Sequence, residues 1–168
     1  MPGFVVHIAI AQEYLRKHKK VFSENFILGS IEPDFTTDKS KTHYGKSPAY
    51  VSLKKYLENN KVNTDFDRGY FLHLVTDYLF YNYYVKEIKK PQIYDDYDFT
   101  NKALIEKYNV FLPEKAKSKV FFKEGIPQIL TLPLACKVID EISEYELEKI
   151  EKEVLRNDDK WNYYKKLV

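Results

Sequence analysis

Apolar residues recur along this chain at three- and four-residue spacings between polar breaks, and no alternation of period two lasts long enough to specify a strand. The pattern predicts an all-α protein. Phe4, Ile8, Ala11 and Leu15 make one stripe of a first helix running from about Phe4 to Lys19. His7 and Tyr14 lie beside that stripe, so His7 is expected to face inward. A short helix from Ser23 ends at Gly29; the residues before Pro33 then avoid the α region, which places Asp34 on a loop. Ser47-Pro48 reads as a cap with proline at the first helical position, opening a helix to about Asn59-Asn60. Thr64-x-x-Asp67 has the form of a capping box and opens a long helix that stops before Pro91. Later helices are expected from about Thr100 to Tyr108, from Pro113 to Phe122, from Pro133 to Ile142, and onward from a second capping box, Ser143-x-x-Glu146. On that last helix Glu144, Glu148, Lys149 and Glu151 form a solvent face over Leu147, Ile150 and Val154.

The long helix carries the most informative segment, Phe71-Leu72-His73-Leu74-Val75-Thr76-Asp77-Tyr78-Leu79-Phe80. His73 and Asp77 share one face of it and point into an apolar interior. A carboxylate there is unfavourable unless it is paired or coordinates a cation. Two readings follow: a core histidine hydrogen-bonded to a capped aspartate, or half a metal site whose remaining ligands lie elsewhere.

Length and composition narrow the class. The 168 residues, 44% hydrophobic and 16% aromatic, fit a single domain over 1–168 and exclude a disordered chain. The net charge is +2, and Arg16, Arg68 and Arg156 are the only arginines, so the guanidinium-rich footprint of a dedicated nucleic-acid binder is missing. Lone Cys136 lies in an apolar stretch and reads as a buried thiol in a reducing compartment. The start has no basic region followed by an apolar one, and no run approaches the roughly 18 apolar residues of a membrane span. A cytoplasmic location is the expectation. His18, within Arg16-Lys17-His18-Lys19-Lys20, reads as a solvated helix end, and Tyr78, Tyr81, Tyr83 and Tyr84 as mostly core packing.

Three further segments join His73 and Asp77: inward-facing His7, Gly29-Ser30-Ile31-Glu32-Pro33-Asp34, and Thr42-His43-Tyr44-Gly45. Taken in order with Gly69-Tyr70-Phe71-Leu72-His73-Leu74-Val75-Thr76-Asp77, they resemble the zinc-dependent phospholipase C family, whose helical fold is shared with single-strand nucleases. The resemblance covers residues 7 to about 84. It implies that Asp34, His43, His73 and Asp77 surround one metal ion, and that His7, with Asp77 as a bridging carboxylate, belongs to a second. It further implies a phosphoesterase in which Asp34 is also the general base. Mixed nitrogen and oxygen ligands suit one to two zinc ions, with iron or manganese also compatible because no thiolate takes part. Two such metals would sit roughly 3.5–4 Å apart and polarise a phosphoryl oxygen.

The chain also departs from that family. Its phospholipases hold a further metal through histidines downstream of the His-x-x-x-Asp helix, and here no histidine follows His73; Tyr81, Tyr83 and Tyr84 stand nearby instead. Secreted members use a processed N-terminal amine, for which the equivalent here is an amine at Pro2. Asp95, Asp96 and Asp98 read as a solvated turn, with Asp96 the candidate for an extra ligand, and Tyr81 could contact substrate or orient a ligand. The expected substrate is a phosphorylated small molecule or a lipid head group, the small molecule being preferred because no Trp- and Lys-flanked amphipathic helix is evident. Two other functions stay open: a non-catalytic, metal-stabilised helical interaction module, and a nucleotide phosphohydrolase of the histidine-aspartate helical type.

Overall fold

A computed structural model describes residues 3–166. Met1, Pro2, Leu167 and Val168, and with them the proposed amine ligand at Pro2, lie outside the described residues. Among those described, all regular structure is helical: α1 (Phe4–Lys17), α2 (Glu24–Ile31), α3 (Lys39–His43), α4 (Leu53–Asn59), α5 (Asp65–Leu79), α6 (Gln92–Tyr108), α7 (Glu114–Lys117), α8 (Leu132–Ile142) and α9 (Leu147–Leu155). None of these helices is long and apolar enough to cross a membrane.

Two helices form the centre, and their composition explains why. In α1 every residue from Val5 to Ala11 is buried, and in α5 every residue from Phe71 to Leu79. A helix apolar on all sides is stable only when other elements surround it. Thus α1 packs against α2, α6 and α8, while α5 packs against α2, α4 and α9. The strongly one-sided α9 covers α4 and α5 with Leu147, Ile150 and Val154, the face expected from its pattern.

The crossing of α2 and α5 is backbone against backbone. A Cβ on Gly29 would stand 2.1 Å from the Phe66 carbonyl oxygen, and one on Gly69 would stand 2.0 Å from that of Phe26. Any side chain at either position would push the helices apart. The two glycines of the family-like motifs therefore set a helix spacing.

Several local expectations are corrected. Helix α2 does not stop at Gly29 but runs to Ile31 and passes into a 3-10 turn, Glu32–Asp34, so Asp34 lies in a helical turn rather than a loop. Pro33 is tolerated because it sits in the first turn of a new helix, where its missing N–H leaves no bond unmade. The helix expected from Pro48 is split into a 3-10 turn, Pro48–Tyr50, and α4, with Val51 extended between them and Ser52 capping α4 through Lys55 N–H. The Thr64/Asp67 capping box is present. The long helix ends well before Pro91, leaving α5 at Leu79 through a π turn, Phe80–Tyr84. Only Glu114–Lys117 is α-helical in the stretch expected from Pro113 to Phe122. Ser143 is not an N-cap: its hydroxyl donates to Ile139 O at 2.6 Å, closing α8, and α9 starts at Leu147. Cys136 is only half-buried. His18 is not a solvated end, since it stacks on Tyr14 at 4.1 Å and hydrogen-bonds Ser143 O at 3.1 Å.

Candidate metal centre

Five residues from four elements converge at the inner end of the α2–α5 crossing. His7 comes from α1, Asp34 from the turn after α2, His43 from the end of α3, and His73 and Asp77 from α5. Their side chains are at most 1% exposed. These are the residues the family-like motifs single out, and the tertiary fold brings all five together.

Local hydrogen bonds fix which imidazole nitrogen is available. His73 Nδ1 lies 2.7 Å from Ser30 O, and His43 Nδ1 lies 3.0 Å from Lys39 O. A carbonyl oxygen only accepts, so both Nδ1 atoms carry the proton and, in the neutral ring, both Nε2 atoms present a bare lone pair. Those two Nε2 atoms face each other at 3.2 Å. As neutral rings neither can donate to the other, so a shared cation, either a proton or a metal ion, relieves the contact. Orientation of a ligating imidazole by a backbone carbonyl on its far nitrogen is the usual outer support of a metal site. Thr42 strengthens it, its hydroxyl donating to Pro33 O at 2.8 Å while standing 2.9 Å from His43 Nδ1, and so ties the turn of Asp34 to the ring of His43.

The spacing of the donor atoms has the size of a tetrahedral site. Four ligands each about 2.0–2.1 Å from a central ion stand about 3.3–3.4 Å apart. His43 Nε2 and His73 Nε2 lie 3.0 and 3.3 Å from Asp77 Oδ2, and 3.5 and 3.8 Å from Asp34 Oδ1. With the 3.2 Å between the two imidazoles, five of the six edges average close to that value.

The other oxygens of both carboxylates turn toward His7. Its Nε2 is 3.3 Å from Asp77 Oδ1 and 4.0 Å from Asp34 Oδ2. His7 Nε2 and Asp34 Oδ2 are buried without a hydrogen-bond partner. His7, His73 and Asp77 form a second group that could hold a cation, with the His7 and His73 rings stacked at 3.8 Å.

The electrostatics favour a cation. Burial opposes charge on both carboxylates, yet nearby positive charge outweighs it: His73, His7 and Lys39 hold Asp34 below the usual carboxylate range, and Asp77 is held well below it with His73, His43 and His7 among the causes. Burial likewise opposes charge on His73, but Asp77 and Asp34 raise its pKa above normal. His7 is pushed down to about 4, first by burial and then by neighbouring His73. Two ionised carboxylates and a neutral His7 in a dry cavity form a strongly cation-seeking donor set.

Two other sequence candidates, Asp96 and Tyr81, are not among the five clustered residues. Asp96 is fully buried but is not in the cluster, and it is not in a solvated turn: α6 begins at Gln92 and includes it. Its carboxylate accepts from the N–H groups of Gln128, Ile129 and Leu130 at 3.0, 2.7 and 2.9 Å and from Gln92 Nε2 at 2.8 Å. It pins the segment before α8, and no lone pair is left aimed at the metal centre. Tyr81 stands in the π turn beyond Asp77, its hydroxyl without a hydrogen bond among the described residues, beside a cleft next to the cluster.

Sequence reasoning missed Lys39. Its ammonium donates to Asp34 Oδ1 at 3.0 Å, and its carbonyl orients His43. Within Asp38-Lys39-Ser40-Lys41 it resembles an ordinary solvated charge, and its spacing of four from His43 on α3 was the only available signal. Compared with family models, with curated proteins and with solved structures, the chain matches none of them.

Proposed function

We propose that this protein is a metal-dependent phosphoric ester hydrolase of the zinc-dependent phospholipase C type. The observation that carries this reading is the near-tetrahedral set of His43, His73, Asp34 and Asp77 donor atoms, with both imidazoles committed through Nδ1 to backbone carbonyls. The all-oxygen-and-nitrogen donor set fits zinc, and iron or manganese is compatible. A divalent ion bound there would polarise a phosphoryl oxygen and make a water acidic enough to attack at neutral pH.

The residues have distinct parts. His43 and His73 hold their Nε2 lone pairs in place, and Asp77 faces both ligand sets with its two oxygens. Asp34 gives Oδ1 to the tetrahedral set and leaves Oδ2 without a hydrogen bond, which suits an atom that takes the proton from attacking water. A phosphorylated small molecule is the preferred substrate.

One observation favours the non-catalytic module instead: His43, His73 and Asp77 are completely buried, as ligands of a structural ion are. A single experiment separates the two. Protein purified without chelator is analysed for metal, melted with and without EDTA, and assayed on phosphomonoester and phosphodiester chromogenic substrates. The hydrolase reading requires bound metal, a lower melting temperature in EDTA, and metal-dependent turnover. Bound metal with stabilisation but no turnover favours the module, and an unmoved melting curve refutes both. His73→Ala is expected to lose metal and thermal stability together, because the metal-binding free energy belongs to the folded state.

A further inference from the structure

A cleft of about 360 Å³ opens beside the metal centre, and Lys39 belongs to both. Its remaining polar groups belong to Lys90, Thr37, Ser47, Tyr81, Tyr94 and Tyr97. The hydroxyls of Thr37, Ser47 and Tyr81 make no hydrogen bond among the described residues. Tyr81 is nonetheless 9% exposed, with burial first and the nearby carboxylates of Asp77 and Asp34 next holding its phenol well above the usual range, so it is a neutral donor. The rest of the wall is Pro48, Ala49, Ile88, Ile93 and the rings of Tyr94 and Tyr97, whose centres are 5.9 Å apart.

Two cations and five hydroxyls line the cleft together with the apolar side chains of Pro48, Ala49, Ile88 and Ile93. Lys39 lies at the end beside Asp34, the Lys90 ammonium stands 5.7 Å from the centre of the Tyr94 ring, and the cleft carries no carboxylate of its own. Resting on the hydrolase reading above, we infer that this cleft binds a small phosphate ester with a ring-sized apolar or aromatic leaving group, Lys39 and Lys90 gripping the phosphoryl oxygens. Lys39 has the key position. Anchored to Asp34 Oδ1 at 3.0 Å, its ammonium lies where the cleft meets the donor cluster and places a phosphoryl group beside both. The size supports the class, since about 360 Å³ is at the lower end of small-molecule pockets and leaves no room for paired acyl chains.

The test is binding of phenyl phosphate, with inorganic phosphate as its comparison, to zinc-loaded full-length protein by calorimetry. Lys39→Met, Lys90→Met and Ala49→Trp are compared with wild type, and zinc content is measured for each. Lys39→Met and Lys90→Met are expected to weaken both ligands about tenfold or more while keeping zinc, the scale of a lost charge-assisted hydrogen bond. Ala49→Trp narrows the cleft at its apolar wall and is expected to abolish the preference for phenyl phosphate over inorganic phosphate. Wild-type affinity for phenyl phosphate in Lys90→Met and Ala49→Trp would overturn the cleft while leaving the hydrolase reading intact. Zinc-loaded wild type that neither binds nor cleaves phosphate esters would overturn that reading, and the cleft's role with it.

Discussion

Gly29 and Gly69 each stand where the other's helix passes, with Cβ positions only 2.1 and 2.0 Å from opposing carbonyl oxygens. That contact sets the approach of α2 to α5, and the approach brings Ser30 O within 2.7 Å of His73 Nδ1. A packing feature thus decides the chemistry of an imidazole one helical turn away.

Gly69→Ala tests this coupling by sign. On an ordinary helix the change would stabilise by up to about 1 kcal/mol. Here the added methyl collides with backbone, so the variant is expected to lose stability by about 3 kcal/mol, the scale of an overpacked core. On the proposed metal-centre reading its metal affinity is expected to fall as well, because His73 loses its orienting carbonyl. Urea unfolding with metal titration checks both, and a stabilised variant with full zinc affinity would contradict the coupling.

Asp34→Asn separates the base from the ligand. The amide keeps Oδ1 for the tetrahedral set and for Lys39 but cannot take a proton at its other end. Folding and most of the metal are expected to remain, while turnover of a confirmed phosphate ester falls roughly 10²-fold or more. Wild-type turnover in this variant would remove Asp34 from proton transfer.

Asp96→Ala distinguishes a structural acid from a ligand. The variant leaves the N–H groups of Gln128, Ile129 and Leu130, the last of them buried, without their acceptor. The expected loss is about 3–5 kcal/mol, the range for removing one partner of a buried charged network. Metal stoichiometry in the folded variant is expected to be unchanged. Loss of zinc at preserved stability would return Asp96 to the ligand set.

His7 gives the metal-free protein a pH-dependent arm. Its folded pKa is about 4 against 6.5 for the free side chain. The unfolded chain therefore binds the proton first, so the stability contributed by neutral His7 is full above about pH 6.5 and is lost as pH falls toward 4. Raised His73 acts in the opposite sense, its contribution present at low pH and lost as pH rises through its folded pKa. Comparison with His7→Gln isolates the first effect. Between pH 7 and 4.5, in chelator, wild type is expected to lose about 2–3 kcal/mol more than the variant. Equal losses in urea titrations would contradict a suppressed His7.

The sequence by itself determined the all-α class, the inward faces of His7, His73 and Asp77, and the capping box at Thr64, because helix periodicity and cap chemistry are written within a few neighbouring residues. It also held the ordered motifs that name all five cluster residues. What lay beyond it depended on distant partners. Asp96 looked solvated until the N–H groups of residues 128–130, more than thirty positions away, closed on it. Asp34 looked like a loop residue because a proline usually ends a helix, yet here Pro33 begins the next turn. Lys39 was one charge among many until α3 set it between Asp34 and the cleft. Local spacing fixes which way a side chain leaves its helix; only the packing of one helix on another decides what it meets, because those contacts join residues with no fixed separation along the chain.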